Sequence, residues 1–336
     1  MQNKSRDLEG LFGAENEVNK DFETFEWGRP IMTQWKSSHR LVFSGYGYKD
    51  EPFLRVNDLD AQEIIYYQPL GKTFSLKKLE PRYCIGRYDL DTHLRSLCPL
   101  EIELPSDSKE NICPACMEAT GFNPSFYYAD VVSPQQRAYN LRPHFTYLAY
   151  FSPQYVKAGI SAADRGYARL LEQGARAAQI VGRFENAYDA RKLEAALCAQ
   201  EGILETMRLS KKTNLLAEES YDVHEAQATL KTLVDYLSKN DSLRDCGFLI
   251  SEPVLDFSST YFSGPAPSSD DLQIAEGADD ACGGLCVGMV GACLIFNQHD
   301  MNFIVPIKDW ESHQINLFEG EVICDYHFEP FTASLF

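Results

Sequence analysis

The stretch HFTYLAYFSPQYVKAGIS, residues 144–161, decides how the middle of this chain folds. HFTYLAYF (144–151) and YVKAGIS (155–161) are rich in aromatic and β-branched residues, and Ser-Pro-Gln stands between them. Two short strands joined by a turn follow. Downstream, Asp164 can cap a helix running to about Gln179, with Ala168, Leu171, Ala175 and Ala178 at helical spacing. IVGRFE (180–185) reads as a further strand. Asn186 then precedes a helix over about 187–207, with Ala190, Leu193 and Leu197 on one stripe. A third helix, about 222–239, sets Ala226, Leu230, Leu233, Val234 and Leu237 at core spacing.

Outward from this αβ segment the character changes. Upstream lies ICPACM, in which Cys113 and Cys116 are two residues apart, after Cys84 and Cys98. Four of the ten cysteines thus fall within 33 residues, and C-x2-C turns both thiolates toward one metal. Cys84, Cys98, Cys113 and Cys116 can hold a structural Zn²⁺, with His93 as an alternative ligand. The plain alternative is that some are buried reduced thiols. A second metal site could use Cys282, Cys286, Cys324 and His327, although core thiols account for them more simply. Cys198, Cys246 and Cys293 read as packing residues.

The expected class is α+β, in five parts. Residues 1–37 are a polar, acidic leader with aromatic interruptions at Phe22, Phe25 and Trp27. An antiparallel β-module occupies 38–82, a zinc-ribbon-like insert 83–130, the αβ domain 140–240 and a C-terminal β-module 245–336. Residues 263–284 form an acidic loop rich in Gly, Pro and Ser, and GLCVGMVGACLIF, MNFIVPI and EVICDYHFEPF are strand-like. The terminal β-module is placed against the first one, and there is no tandem repeat.

Length and charge bound the function. A chain of 336 residues can bury more than one core, and 44% hydrophobic content is ordinary for a globular protein. The first residues contain no apolar h-region, so no secretory signal is expected. The longest apolar run, CVGMVGACLIF at 286–296, is too short to cross a bilayer. Ten cysteines without such a signal point to a reducing, cytoplasmic setting. The net charge of −18 opposes generic nucleic-acid binding. Residues 140–215 are the exception: 11 Lys and Arg against 7 Asp and Glu give +4, while the remainder carries −22. That segment is where a nucleic acid would bind.

Within it the order is Tyr147, Lys157-Ala-Gly159, Arg169, Glu194 and Asn214. This order, laid on hairpin, helix, strand and helix, resembles the GIY-YIG endonuclease superfamily. A bacterial and archaeal family of unknown function is more similar still: it has a cysteine cluster before a GIY-YIG-like segment and a small β-module after it. The matching stretches are Cys-Ile-Gly-Arg-Tyr-Asp (84–89), Cys113-Pro-Ala-Cys116 with Gly121-Phe122, Tyr147-Leu-Ala, Val156-Lys-Ala-Gly-Ile-Ser, Gln173-Gly-Ala, Lys212-Thr-Asn214, Gly288-Met-Val-Gly and Leu294-Ile-Phe. They cover about 80–330.

The resemblance implies a phosphodiesterase acting on DNA or RNA. Glu194 would hold Mg²⁺ or Mn²⁺, Tyr147 would activate water, Arg169 would clamp phosphate, and Asn214 would support the site by hydrogen bonding. Arg165 is a lesser candidate for the clamp. Lys157 stands where the superfamily's second motif has tyrosine. It can stabilise a phosphate but accepts a proton poorly unless its pKa falls. The packing alternatives are a strand aromatic for Tyr147, solvated helix charges for Arg169 and Glu194, and a turn residue for Asn214. Two other functions fit the same chain: a non-catalytic nucleic-acid-binding protein, and a module whose acidic β surfaces bind a protein partner.

Overall fold

The structure is a computed structural model that describes residues 39–123, 132–249 and 252–326. The leader at 1–37 and His327 lie outside the described residues.

The first β-rich segment forms β1 (Leu41–Tyr48), β2 (Pro52–Asp58), β3 (Glu63–Tyr67) and β4 (Thr73–Tyr83). Short pairs follow: β5 (Arg87–Tyr88) with β6 (Arg95–Ser96), and β7 (Glu103–Leu104) on β4. Then come α1 (Pro114–Thr120) and α2 (Pro134–Asn140). The central segment runs β8 (His144–Ser152), β9 (Tyr155–Ala162), α3 (Ala168–Glu172), β10 (Ala177–Phe184), α4 (Ala187–Cys198), β11 (Ile203–Leu204), α5 (Leu209–Glu218), α6 (Val223–Leu237) and α7 (Asp241–Asp245). The chain closes with β12 (Leu255–Asp256), α8 (Ser258–Tyr261), β13 (Leu272–Ile274), β14 (Ala281–Val290), β15 (Cys293–Gln298), β16 (Met301–Pro306) and β17 (His313–Glu319).

The two β-rich ends share one sheet, ordered β13-β16-β15-β14-β4-β17-β1-β2-β3. β17 sits between β4 and β1, so the last strand is stitched into the first module by backbone hydrogen bonds on both sides. A second sheet is ordered β11-β9-β8-β10-β12. Its centre is the antiparallel β8–β9 hairpin, with Tyr147 opposite Gly159 and Ala149 opposite Lys157.

Strand alternation sorts the second sheet into two faces. Phe145, Tyr147, Ala149 and Phe151 join Leu170 and Leu171 of α3, Leu215 and Leu216 of α5, and the main sheet's Phe43, Leu76 and Phe296 in one core. Leu148 and Tyr150 point the other way, into a core with Val156, Ala158, Leu193 and Leu197 of α4, and Leu230 and Val234 of α6. Each of these Leu, Val and Phe side chains, fully buried, contributes about 1.5–3 kcal/mol. Within the main sheet the Tyr48 hydroxyl at the end of β1 shares its proton between the carbonyls of Met289 (3.1 Å) in β14 and Gly291 (3.0 Å) in the turn after it.

The expected helix at 164–179 is much shorter. After a 3₁₀ turn at Ala163–Arg165, α3 ends at Glu172, and Gly174 turns the chain with φ +75°. Ala177 and Ala178 then begin β10, with the former in the α4 core and the latter in the main core. Alanine fits either periodicity, which is why the spacing suggested helix. The helix expected over 187–207 keeps its Asn186 cap, whose side chain accepts from Asp189 N at 2.9 Å, but stops at Cys198 before a turn into β11. α5 was not foreseen. The helix expected at 222–239 is α6, capped by Asp222. EVICDYHFEPF was expected to be strand, yet residues 321–326 carry none. Among its described residues the cysteine segment has the short β5–β6 hairpin, the β7 pairing on β4 and the helix α1. Among the described residues no helix is long and apolar enough to cross a membrane.

Candidate functional site

Cys84 follows the end of β4, Cys98 follows β6, and Cys113 and Cys116 lie at the start of α1. Cys113 is the N-cap and Pro114 opens the helix, so the C-x2-C spacing becomes a first helical turn. All four are at most 3% exposed, and their sulfurs lie within 4.8 Å of one another. Tetrahedral zinc with Zn–S bonds of about 2.3 Å needs sulfurs about 3.8 Å apart. The Cys98 and Cys113 sulfurs are at 4.0 Å. The donor set therefore fits a four-coordinate thiophilic ion, and it leaves no open position for water. The Cys113 amide donates to Cys84 Sγ at 3.1 Å, the kind of contact that supports a thiolate. Burial pushes the Cys84 thiol up to about 11. Burial also acts on Cys113, but hydrogen bonds from the Cys116 amide and the neighbouring thiols outweigh it and hold Cys113 below the usual thiol value.

His93 takes no part in this cluster. Its Nδ1 lies 2.7 Å from the Tyr88 hydroxyl and its Nε2 lies 3.1 Å from Asp164 Oδ2, so the ring faces the central segment. Cys282, Cys286 and Cys293 are core thiols. Cys324 packs against that core, while Cys198 and Cys246 pack against the other.

A second assembly lies on the Tyr147 face of the hairpin. Tyr147 is 1% exposed, and its hydroxyl accepts from Gln173 Nε2 at 2.6 Å. Burial pushes the phenol up, while the Arg169 charge and the Gln173 hydrogen bond pull the other way. Gly159 faces the ring; a Cβ there would fall 2.5 Å from the hydroxyl, so only glycine leaves room. Lys157, two residues before Gly159, shares that face one step along the hairpin. Arg169 stands one helical turn before Gln173, so the two share a side of α3. Burial lowers the Lys157 pKa, the charge of Glu194 opposes this, and the field of Arg169 adds to it.

Lys212, quoted in the sequence motif but given no role there, completes the group. It lies in α5 and donates to the Gln173 carbonyl at 2.7 Å, with its ammonium 5.0 Å from the centre of the Phe151 ring. Among the described residues, Lys157, Arg169 and Lys212 form no ion pair, in a chain of net charge −18. No helix was expected at 209–218, so nothing in the sequence brought Lys212 to the hairpin.

The other candidates are placed elsewhere. Glu194 is 6% exposed on α4, which covers the opposite face of the hairpin: Thr146 Oγ1 donates to the Ala190 carbonyl, and Leu193 and Leu197 pack on Leu148 and Val156. Glu194 is paired with Arg191, which also binds Glu205 at 2.6 Å. Its charge is still felt at Lys157. Asn214 is exposed, two residues from Lys212 and so roughly 200° round the helix from it. Arg165 is engaged by both carboxylate oxygens of Glu172, at 2.9 and 2.7 Å. The structure thus brings Tyr147, Lys157 and Arg169 together, holds the Arg191-paired Glu194 within electrostatic reach of Lys157 and Tyr147 from the neighbouring helix, and turns Asn214 away.

No curated protein and no solved structure matches this chain. One family model does, over residues 133–315, which is more than half of the chain and begins after the four cysteines. The matched span contains the hairpin, the Tyr147 face and most of the strands that close the main sheet. The chain therefore belongs to the family described as "Protein of unknown function (DUF2797)".

Proposed function

We propose that this protein binds the phosphates of a nucleic acid on the Tyr147 face of a GIY-YIG-like segment without cutting them, and that its four cysteines hold a structural zinc. The single observation that carries the reading is the presence of Lys157 and Arg169, which form no ion pair among the described residues, about the buried Tyr147–Gln173 hydrogen bond. Such an exposed guanidinium and half-buried ammonium are suited to phosphate, and the carboxylate felt most strongly at Lys157, that of Glu194, is engaged by Arg191. A divalent cation needs carboxylate oxygens, and the one candidate, Glu194, is on the helix across the sheet and already paired with Arg191. Hairpin, helix, strand and helix in that order support the GIY-YIG likeness. A closed, all-thiolate set of four donors suits zinc, with iron the other ion that such a set takes. When bound, the zinc would cross-link the β4 end, the β6 loop and the start of α1.

A phosphodiesterase is the second reading, favoured by the reach of the Glu194 charge to Lys157 and Tyr147. The two are separated by incubating labelled DNA and RNA with the wild type and Glu194→Ala, with Mg²⁺ or Mn²⁺ present. Binding without cleavage is expected. Metal-dependent cleavage lost in Glu194→Ala would replace the first reading by the second.

A further inference from the structure

Lys212 holds a position in this assembly that neither the family match nor the resemblance assigns. Three elements converge on it. From α3, the Gln173 carbonyl accepts its proton at 2.7 Å, and the Gln173 amide in turn holds the Tyr147 hydroxyl at 2.6 Å. From β8, the Phe151 ring lies under the ammonium. From β15, Cys293 approaches the same turn of α5, its sulfur 3.5 Å from Thr213 Oγ1. One hydrogen bond to a neutral carbonyl uses one of three ammonium donors. Two remain for a ligand, beside the Gln173 turn that also holds the Tyr147 hydroxyl.

We propose that Lys212 is a third phosphate-contacting cation of the Tyr147 face, and that binding a phosphate there draws a proton onto it. This rests on the phosphate-binding reading above and adds a residue and a linked proton to it. The groups that face Lys212 are Lys157 from β9, Arg169 from α3 and the Cys293 thiol from β15. Burial comes first, and the two like charges add to it, so the Lys212 ammonium is lowered to about 8. Cys293 acts in the opposite sense. A phosphate between the three cations reverses the balance, because its negative charge favours the protonated amine. The free lysine is neutral above its own pKa and the bound one is charged, so a proton is taken up on binding and affinity falls as pH rises. Above about pH 8 the limiting slope is about tenfold in Kd per pH unit for one proton.

The test is fluorescence anisotropy of a labelled DNA oligonucleotide with the full-length wild type, Lys212→Arg and Lys212→Met. It runs at constant ionic strength between about pH 7 and about pH 9.5, the range over which the linkage acts. The wild-type Kd should rise toward the tenfold-per-unit limit above about pH 8. Lys212→Arg, whose guanidinium stays charged, should bind with a flat profile there, and Lys212→Met should bind at least about tenfold more weakly at neutral pH. Thermal melts check that both variants fold, and the arginine variant keeps the test decisive if the methionine variant does not. A wild-type slope retained in Lys212→Arg would assign the proton to Lys157 and overturn the proposal. So would wild-type affinity in a folded Lys212→Met. Both of those results leave the phosphate-binding reading standing, whereas no binding by the wild type at any pH overturns both.

Discussion

The Gln173 side-chain amide reaches across from the end of α3 to the Tyr147 hydroxyl in the middle of β8, at 2.6 Å. This bond gives a buried phenol its partner and fixes where α3 ends relative to the hairpin. Because Gln173 also accepts from Lys212, one residue sets the spacing of a strand, a short helix and a longer one.

Replacing Gln173 by Leu leaves the Tyr147 hydroxyl buried without a partner. Such a group costs about 1–3 kcal/mol. Urea unfolding should show a midpoint lowered by that free energy divided by the slope, with the slope itself unchanged. A variant as stable as the wild type would mean that Tyr147 is satisfied by some other group.

Gly159→Ala places a methyl 2.5 Å from the same hydroxyl. Overpacking at a buried site costs about 1–3 kcal/mol, and here the ring has to move away from Gln173. The expected readout is a lower melting temperature, with a double substitution Gly159→Ala and Tyr147→Phe regaining part of the loss. Absence of any regain would show that the strain is relieved elsewhere.

Asp164 carries a pH dependence whose sign can be worked out. Burial pushes its carboxyl up, but His93 and Arg142 more than offset this, so it titrates below its unfolded value of about 3.9. Its contribution is therefore complete above about pH 4 and is lost as pH falls through the lower folded value. Asp164→Asn should be less stable than the wild type at neutral pH, and the gap should close on acidification below about pH 4. A gap of constant size across that window would contradict the assignment.

Zinc should copurify at about one ion per chain and be absent from Cys113→Ser, because a closed four-thiolate site does not keep its metal on three ligands. Elemental analysis reads this directly. Full zinc content in the variant would place the metal elsewhere.

The hairpin and the cysteine cluster were legible because both are written locally. Residues 144–161 are two aromatic- and β-branched-rich runs around Ser-Pro-Gln, and Cys113 and Cys116 stand at ligand spacing; the structure forms the one and gathers the other. What the sequence hid was long-range. Ala175 and Ala178 match helix and strand alike, so α3 was drawn too long. Glu194 and Tyr147 occur in an order that suggests one site, but strand alternation and the Thr146–Ala190 contact put α4 on the far face. From there Glu194 acts on Tyr147 through its charge, with no hydrogen bond to Gln173 or Arg169 among the described residues. α5 lies between two stronger helical patterns, and Lys212 reaches Gln173 across 39 positions of sequence. The sharing of one sheet by both β-rich ends depends on β17 pairing with β1 and β4, which no local pattern announces.

The central claim is that phosphates bind between Lys157 and Arg169. Its most direct test is the salt dependence of DNA-oligonucleotide affinity for the wild type and the double variant Lys157→Gln, Arg169→Gln. Two lost phosphate contacts should weaken binding about tenfold or more at low salt and reduce the slope of log Kd against log salt by about 2. Equal affinity and equal slope in the folded double variant would contradict the account.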